Sequence, residues 1–156
     1  MTSIPVRMVM LVMALFLLSH RAAAQETRLA GQAMHCAAIF SLLAKTYATG
    51  GPDRGSRWSK AVEIFTDVHI KESYGTVTNK VHDAAGKRRT EEAQTLLGAW
   101  MARDAYLKEE AVICGAWVEG FLAPGETYQY VPVYPKAVAP GVRSQYQNLF
   151  SEAMGR

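Results

Sequence analysis

The chain has 156 residues, 49% of them hydrophobic and 20% charged, with a formal net charge of +3. That length suits one domain after any leader is removed. The charge is far short of what phosphate neutralisation needs, so nucleic acid is not an expected partner.

Residues 1–24 have the form of a cleavable signal peptide. Arg7 supplies the positive start, an apolar run extends from Met8 to Leu18, and Ala22-Ala23-Ala24 offers small residues for cleavage. A membrane-spanning helix needs about 20 apolar residues. This run is shorter and is closed by His20 and Arg21, so the expected product is periplasmic or secreted, with no transmembrane segment after cleavage. Loss of Arg7 and Arg21 brings the net charge to +1, because the segment carries no acid. The two cysteines, Cys36 and Cys114, are then expected to pair in an oxidising compartment.

The remaining pattern is all-α: a small bundle of three to four helices with an extended tail and a short terminal helix. The first segment, about 27–48, carries Leu29, Ala33, Cys36, Phe40, Leu43 and Tyr47 at alternating steps of four and three, one stripe on a helix. Gly50-Gly51-Pro52 stops it. The second segment, about 56–85, has two stripes that lie on different faces. The change falls near Gly75, where the helix breaks, kinks or is sandwiched between two partners. Gly86 and Lys87-Arg88-Arg89 read as a solvated loop between helices, followed by Thr90 as an N-cap with Glu91 and Glu92 in a first turn.

The third segment runs from there to about 123, with Ala93, Leu97, Trp100, Asp104, Leu107, Ala111, Cys114, Val118 and Phe121 on one stripe. Both cysteines sit on apolar stripes, so the first and third segments should pack face to face. In an up-down-up bundle of straight rods, however, the cysteines come out about 10 Å apart along the axis, too far for a disulfide unless a kink near Gly75 or a tilt of the helices closes the gap. Trp58, Trp100 and Trp117 are expected in the core. Residues 25–123 thus form the disulfide-closed helical domain. In residues 124–156, Tyr128, Tyr130 and Tyr134 alternate with prolines in an extended stretch, and a short helix follows over about 142–154.

Few residues suggest chemistry. Asp104 is the one polar residue of the third stripe, and a buried carboxylate can work as an acid or base; the plainer expectation is that it reaches solvent or pairs with a base. His69 and Glu72 share a helix face at i, i+3, yet the order is the reverse of the Glu-x-x-His pairs of di-metal bundles and has no second copy. An ordinary surface histidine is therefore expected. Glu109 and Glu110 read as a solvated face, and His35 as pointing away from its neighbour Cys36. The sequence has no Gly-x-Ser-x-Gly, no Walker spacing and no Cys-x-x-Cys-His. No cofactor and no metal are expected.

The expectation is an exported, non-enzymatic interaction or accessory protein that binds another protein of the cell envelope, or a toxin. Tyr128, Tyr130 and Tyr134 are its candidate contact residues. The alternative is a ligand carrier or enzyme with a pocket between helices built on Asp104 or His69, and a weaker one is a metal-binding bundle.

Overall fold

The computed structural model describes residues 27–48, 52–122 and 138–156. Among them are five helices and no strand: α1 (Arg28–Ala48), α2 (Pro52–Tyr74), α3 (Asn79–Met101), α4 (Ala105–Leu122) and α5 (Pro140–Ala153). The all-α expectation holds. Residues 1–24, expected from sequence to be a signal peptide, and Tyr128, Tyr130 and Tyr134 lie outside the described residues. No described helix is long and apolar enough to cross a membrane.

α1 is the centre of the molecule. It packs most extensively on α2, next on α3, and also reaches α4 and α5. Its sequence explains this position. Beyond the stripe of Ala33, Cys36, Phe40, Leu43 and Tyr47, it also buries Ala30, Met34, Ala37, Ala38, Ile39 and Leu42. A helix apolar on most sides has to be covered on most sides. Its alanines let neighbours come close, since each projects only a methyl group.

Seven large aromatic residues, Phe40 of α1 and six from the other four helices, pack together in the core. Phe40 stands 5.7 Å from Trp58, 5.8 Å from Phe65 and 5.7 Å from Phe150, centroid to centroid. Trp117 lies 6.0 Å from Phe65, Trp100 6.0 Å from Phe150, and Tyr146 6.3 Å from Phe150. Pairs at these distances add about 0.5–1.5 kcal/mol each beyond the area they bury. All three tryptophans are core residues, as expected. A smaller cluster of Met34, Ile70 and Ala85 joins the start of α1 to the α2–α3 corner.

The chain breaks at Gly75, as one of the sequence alternatives had it. Gly75 has φ +70° and closes α2 with its N–H on the Lys71 carbonyl, the conformation in which glycine avoids a steric penalty. The second stripe dissolves there: Tyr74 and Val77 are exposed, and Ala85 rather than Ala84 is buried.

Three boundaries differ from the sequence reading. α2 starts at Pro52 rather than at about 56. Gly86 and Lys87-Arg88-Arg89 are not a loop but the middle of α3. The cap is Thr78, whose hydroxyl accepts the Val81 N–H at 3.3 Å. Thr90 is interior, and its hydroxyl donates back to the Gly86 carbonyl at 3.0 Å. Gly86 costs about 1 kcal/mol of helix propensity but does not stop a helix supported on both sides. Arg89 reaches α2, donating to the hydroxyl of the buried Thr66 at 3.0 Å. Burial lowers the pKa of that guanidinium below its usual value.

The long third segment is likewise not one rod. It turns at residues 102–104, with Arg103 at φ 56°. Asp104 starts α4 as its cap, its carboxylate accepting the Leu107 N–H at 2.9 Å. This break removes the axial mismatch of the straight-rod bundle. α4 is free to set its own height against α1, and the Cys36–Cys114 disulfide forms with its Cα atoms 5.4 Å apart. An intact disulfide is compatible with a protein exported from the reducing cytosol.

Candidate functional site

The residues singled out by sequence do not meet. Asp104 is exposed and committed to capping, so it is not the buried carboxylate of a pocket. His69 is not a surface histidine: it is fully buried, with Nδ1 2.9 Å from the Ala30 carbonyl. A carbonyl only accepts, so Nδ1 carries the proton, and the bond pins α2 to the first turn of α1. Glu72 is exposed, and the i, i+3 spacing does not bring it to His69. Neither Asp104 nor His69 lines either of the two clefts described below. Among the described residues, no group of three His, Cys, Asp or Glu side chains is disposed to hold a metal ion.

What the fold does assemble is a cleft of about 550 Å³ between α1, α3 and α4, beside the disulfide. Its α1 wall is Arg28, Gly31, Gln32 and His35. Its α4 wall is Tyr106, Glu109, Glu110 and Ile113, with Cys114 at the base and Glu92 entering from α3. Both walls have the spacing i, i+3, i+4, i+7, which places four residues on one helix face. Two such faces opposite each other make a groove, and the glycine at position 31 thins one wall.

At the centre stands His35. Its Nδ1 is 3.0 Å from Glu92 Oε1, and its Nε2 is 3.1 Å from Glu110 Oε2. The three side chains are roughly one-quarter to two-fifths exposed, so they face the cleft without being fully solvated. Glu109 is engaged from outside by Arg143 of α5. Tyr106 is 74% exposed at the cleft, the most exposed large apolar side chain among the described residues.

Sequence reasoning missed this constellation. It placed Glu92 in a helical first turn and Glu110 on a solvated face, and it set His35 aside. The signal that finds them is the disulfide itself. Glu110 precedes Cys114 by one helical turn, and His35 adjoins Cys36. Once the two sulfurs meet, these side chains are brought to one rim.

A second polar network lies on the far side of α4. Glu119 Oε1 accepts from Arg57 of α2 at 2.7 Å and from the Tyr146 hydroxyl of α5 at 2.6 Å. The Tyr146 ring is fully buried. Burial, and then the Glu119 carboxylate, push its hydroxyl well above the usual tyrosine range. This network ties three helices together, running from the buried Tyr146 to a half-exposed Arg57. A shallower groove of about 410 Å³ between α1, α2 and α3 includes His82 and Arg89, but no side chains converge in it as they do on His35.

Compared with known protein families, with curated proteins and with solved structures, the chain matches none.

Proposed function

We propose that the chain acts after export as a non-enzymatic accessory protein, and that it receives another protein through the α1–α3–α4 cleft. The observation that carries this reading is the cleft's composition. It offers the carboxylates of Glu92 and Glu110 within an open groove and an exposed Tyr106 beside them. Exposed aromatic side chains at a polar-rimmed concavity are a common form of protein-binding surface. When His35 is neutral, the carboxylates of Glu92 and Glu110 outnumber Arg28 in the cleft, which favours a partner segment that carries basic side chains.

Binding rather than chemistry is favoured by how the polar groups are used. Both nitrogens of His35 face carboxylates, so neither is aimed at a nucleophile. Cys114 is held in the disulfide. A general base needs an accessible proton to take, and a nucleophile needs a base beside it.

The test is site-specific photo-crosslinking in the native cells. A photoreactive side chain at Gln32 or Tyr106 should give one discrete adduct, and one at the exposed Lys71 should not. The adduct should weaken when Glu92 and Glu110 are changed to lysine. Equal labelling from all three positions, or none from the cleft, would remove the cleft from the function. Recovery of the chain with its first residue at Gln25 and its thiols blocked from alkylation would establish the export half of the reading.

A further inference from the structure

We propose that His35 is a pH-operated clamp: as the imidazolium it holds Glu92 of α3 and Glu110 of α4 together, and on losing its proton it lets the cleft widen. The inference concerns the opening of the cleft and stands whether or not a partner enters it.

The argument begins with hydrogen-bond capacity. A neutral imidazole has one N–H and one lone pair, while a carboxylate only accepts. Carboxylate oxygens stand at 3.0 Å from Nδ1 and 3.1 Å from Nε2. With both carboxylates ionised, only the doubly protonated ring satisfies both contacts. The neutral ring keeps one bond and turns a lone pair toward the other oxygen at the same distance. It also removes the positive charge between two carboxylates. Both effects push Glu92 or Glu110 away.

The surrounding charges do not cancel this. On His35's own helix, Arg28 lies two turns earlier on the same face and shares the cleft. From α4 the facing groups besides Glu110 are the Tyr106 phenol and Glu109, which is taken by Arg143 of α5. From α3 the facing group is Glu92 itself. α2 lines no part of the cleft.

The backbone arrangement makes the clamp consequential. α3 and α4 are consecutive, yet each packs chiefly on other helices and they make little contact with each other. α4 is tied to α1 by the disulfide close to His35. α3 has no covalent tie there and is held by packing on α1 through Ala93 and Trp100, so the Glu92 side of the clamp is the one that can part, by local opening of α3 around Glu92 rather than departure of the whole helix.

Hydrogen–deuterium exchange on the full oxidised chain tests this directly, at pH 5.5 and pH 7.5 with rates corrected for intrinsic exchange. Amides of α3 around Glu92 should lose protection about fivefold to tenfold at the higher pH, the scale of one partly exposed charge-assisted bond. Amides of α2 should not change. The variant His35→Gln, neutral and able to donate one bond, should show the same protection at both pH values, as should Glu92→Gln. Wild-type α3 protection that does not change with pH overturns the proposal. So does a pH effect that survives undiminished in His35→Gln, which would assign it to His69 or His82. Proton NMR of the wild-type imidazoles supplies a measurement free of any variant. The His35 titration and the amide shifts of α3 should share one midpoint, and separate midpoints would overturn the clamp.

Discussion

Gly115 gives the sharpest test of how α4 and α5 meet. A Cβ at this position would lie 2.2 Å from Tyr146 Cγ and 2.3 Å from Cδ1, where carbon atoms pack at about 3.5–4.0 Å. The ring would have to retreat by more than 1 Å, by roughly the difference between those distances. It is not a loose end that can swing aside. It is fully buried, 6.4 Å from Trp58 and 6.3 Å from Phe150 between centroids, and its hydroxyl is held by Glu119 at 2.6 Å. Overpacking of this kind costs about 1–3 kcal/mol. Loss of the hydroxyl's bond to a carboxylate adds about 1.5–3 kcal/mol. Against this, alanine is better than glycine in a helix by about 1 kcal/mol. Gly115→Ala should therefore destabilise by about 1.5–5 kcal/mol net, a large part of a small domain's total of about 5–15 kcal/mol. Urea denaturation followed by circular dichroism measures it. A double-mutant cycle with Tyr146→Leu, which removes the ring, should show coupling of at least about 1 kcal/mol, because the two sites are in contact. A Gly115→Ala variant as stable as the wild type, or strict additivity in the cycle, would refute the close approach of α4 and α5 at this point.

Reduction of the disulfide, or replacement of both cysteines by alanine, should cost about 4–5 kcal/mol by the chain-entropy relation for a loop of this size, given the separation of 78 residues; the midpoint of urea unfolding with and without reductant reads it. Alkaline pH should destabilise through Tyr146. Burial and Glu119 raise its hydroxyl above the ordinary value of 10.0 in the folded chain, so above pH 10 the unfolded chain binds fewer protons and stability falls with rising pH. Below pH 10 both states hold the proton and the group contributes no slope. One such group gives at most about 1.4 kcal/mol per pH unit. Unfolding midpoints measured from pH 8 to pH 11.5 should fall more steeply for the wild type than for Tyr146→Phe, and equal slopes would contradict the placement of the hydroxyl.

The cysteines, the tryptophans and α1 were legible because burial there follows helical spacing. Cys36 and Cys114 sit on stripes, and pairing two stripes through their sulfurs needs no further information. The break at Gly75 was legible because only glycine adopts that backbone angle freely. The turn at 102–104 was not, since it is made by Ala102, Arg103 and Asp104, with no glycine or proline to mark it. Asp104 kept the four-three count of the stripe while serving as a cap, so periodicity alone hid the boundary. The opposite error occurred at Gly86 and the basic triplet, where local punctuation suggested a loop and packing on α1 and α2 carried the helix through. His69 and Thr66 are buried polar residues, whose partners come from α1 and α3 and are invisible along a single segment. The His35 constellation draws on three helices, and its parts were in view only as separate charges.

The position of the disulfide also shapes how the chain can go wrong while it is being made. Cys36 becomes available 78 residues before Cys114, so any route that delivers the chain from its amino end leaves the first thiol waiting. With two cysteines in all, no incorrect pairing exists within one molecule. Errors must join separate molecules, and the characteristic by-product is a covalent dimer through Cys36. Its yield should rise with synthesis rate and protein concentration, and it should owe little to any enzyme that reshuffles bonds within a single chain.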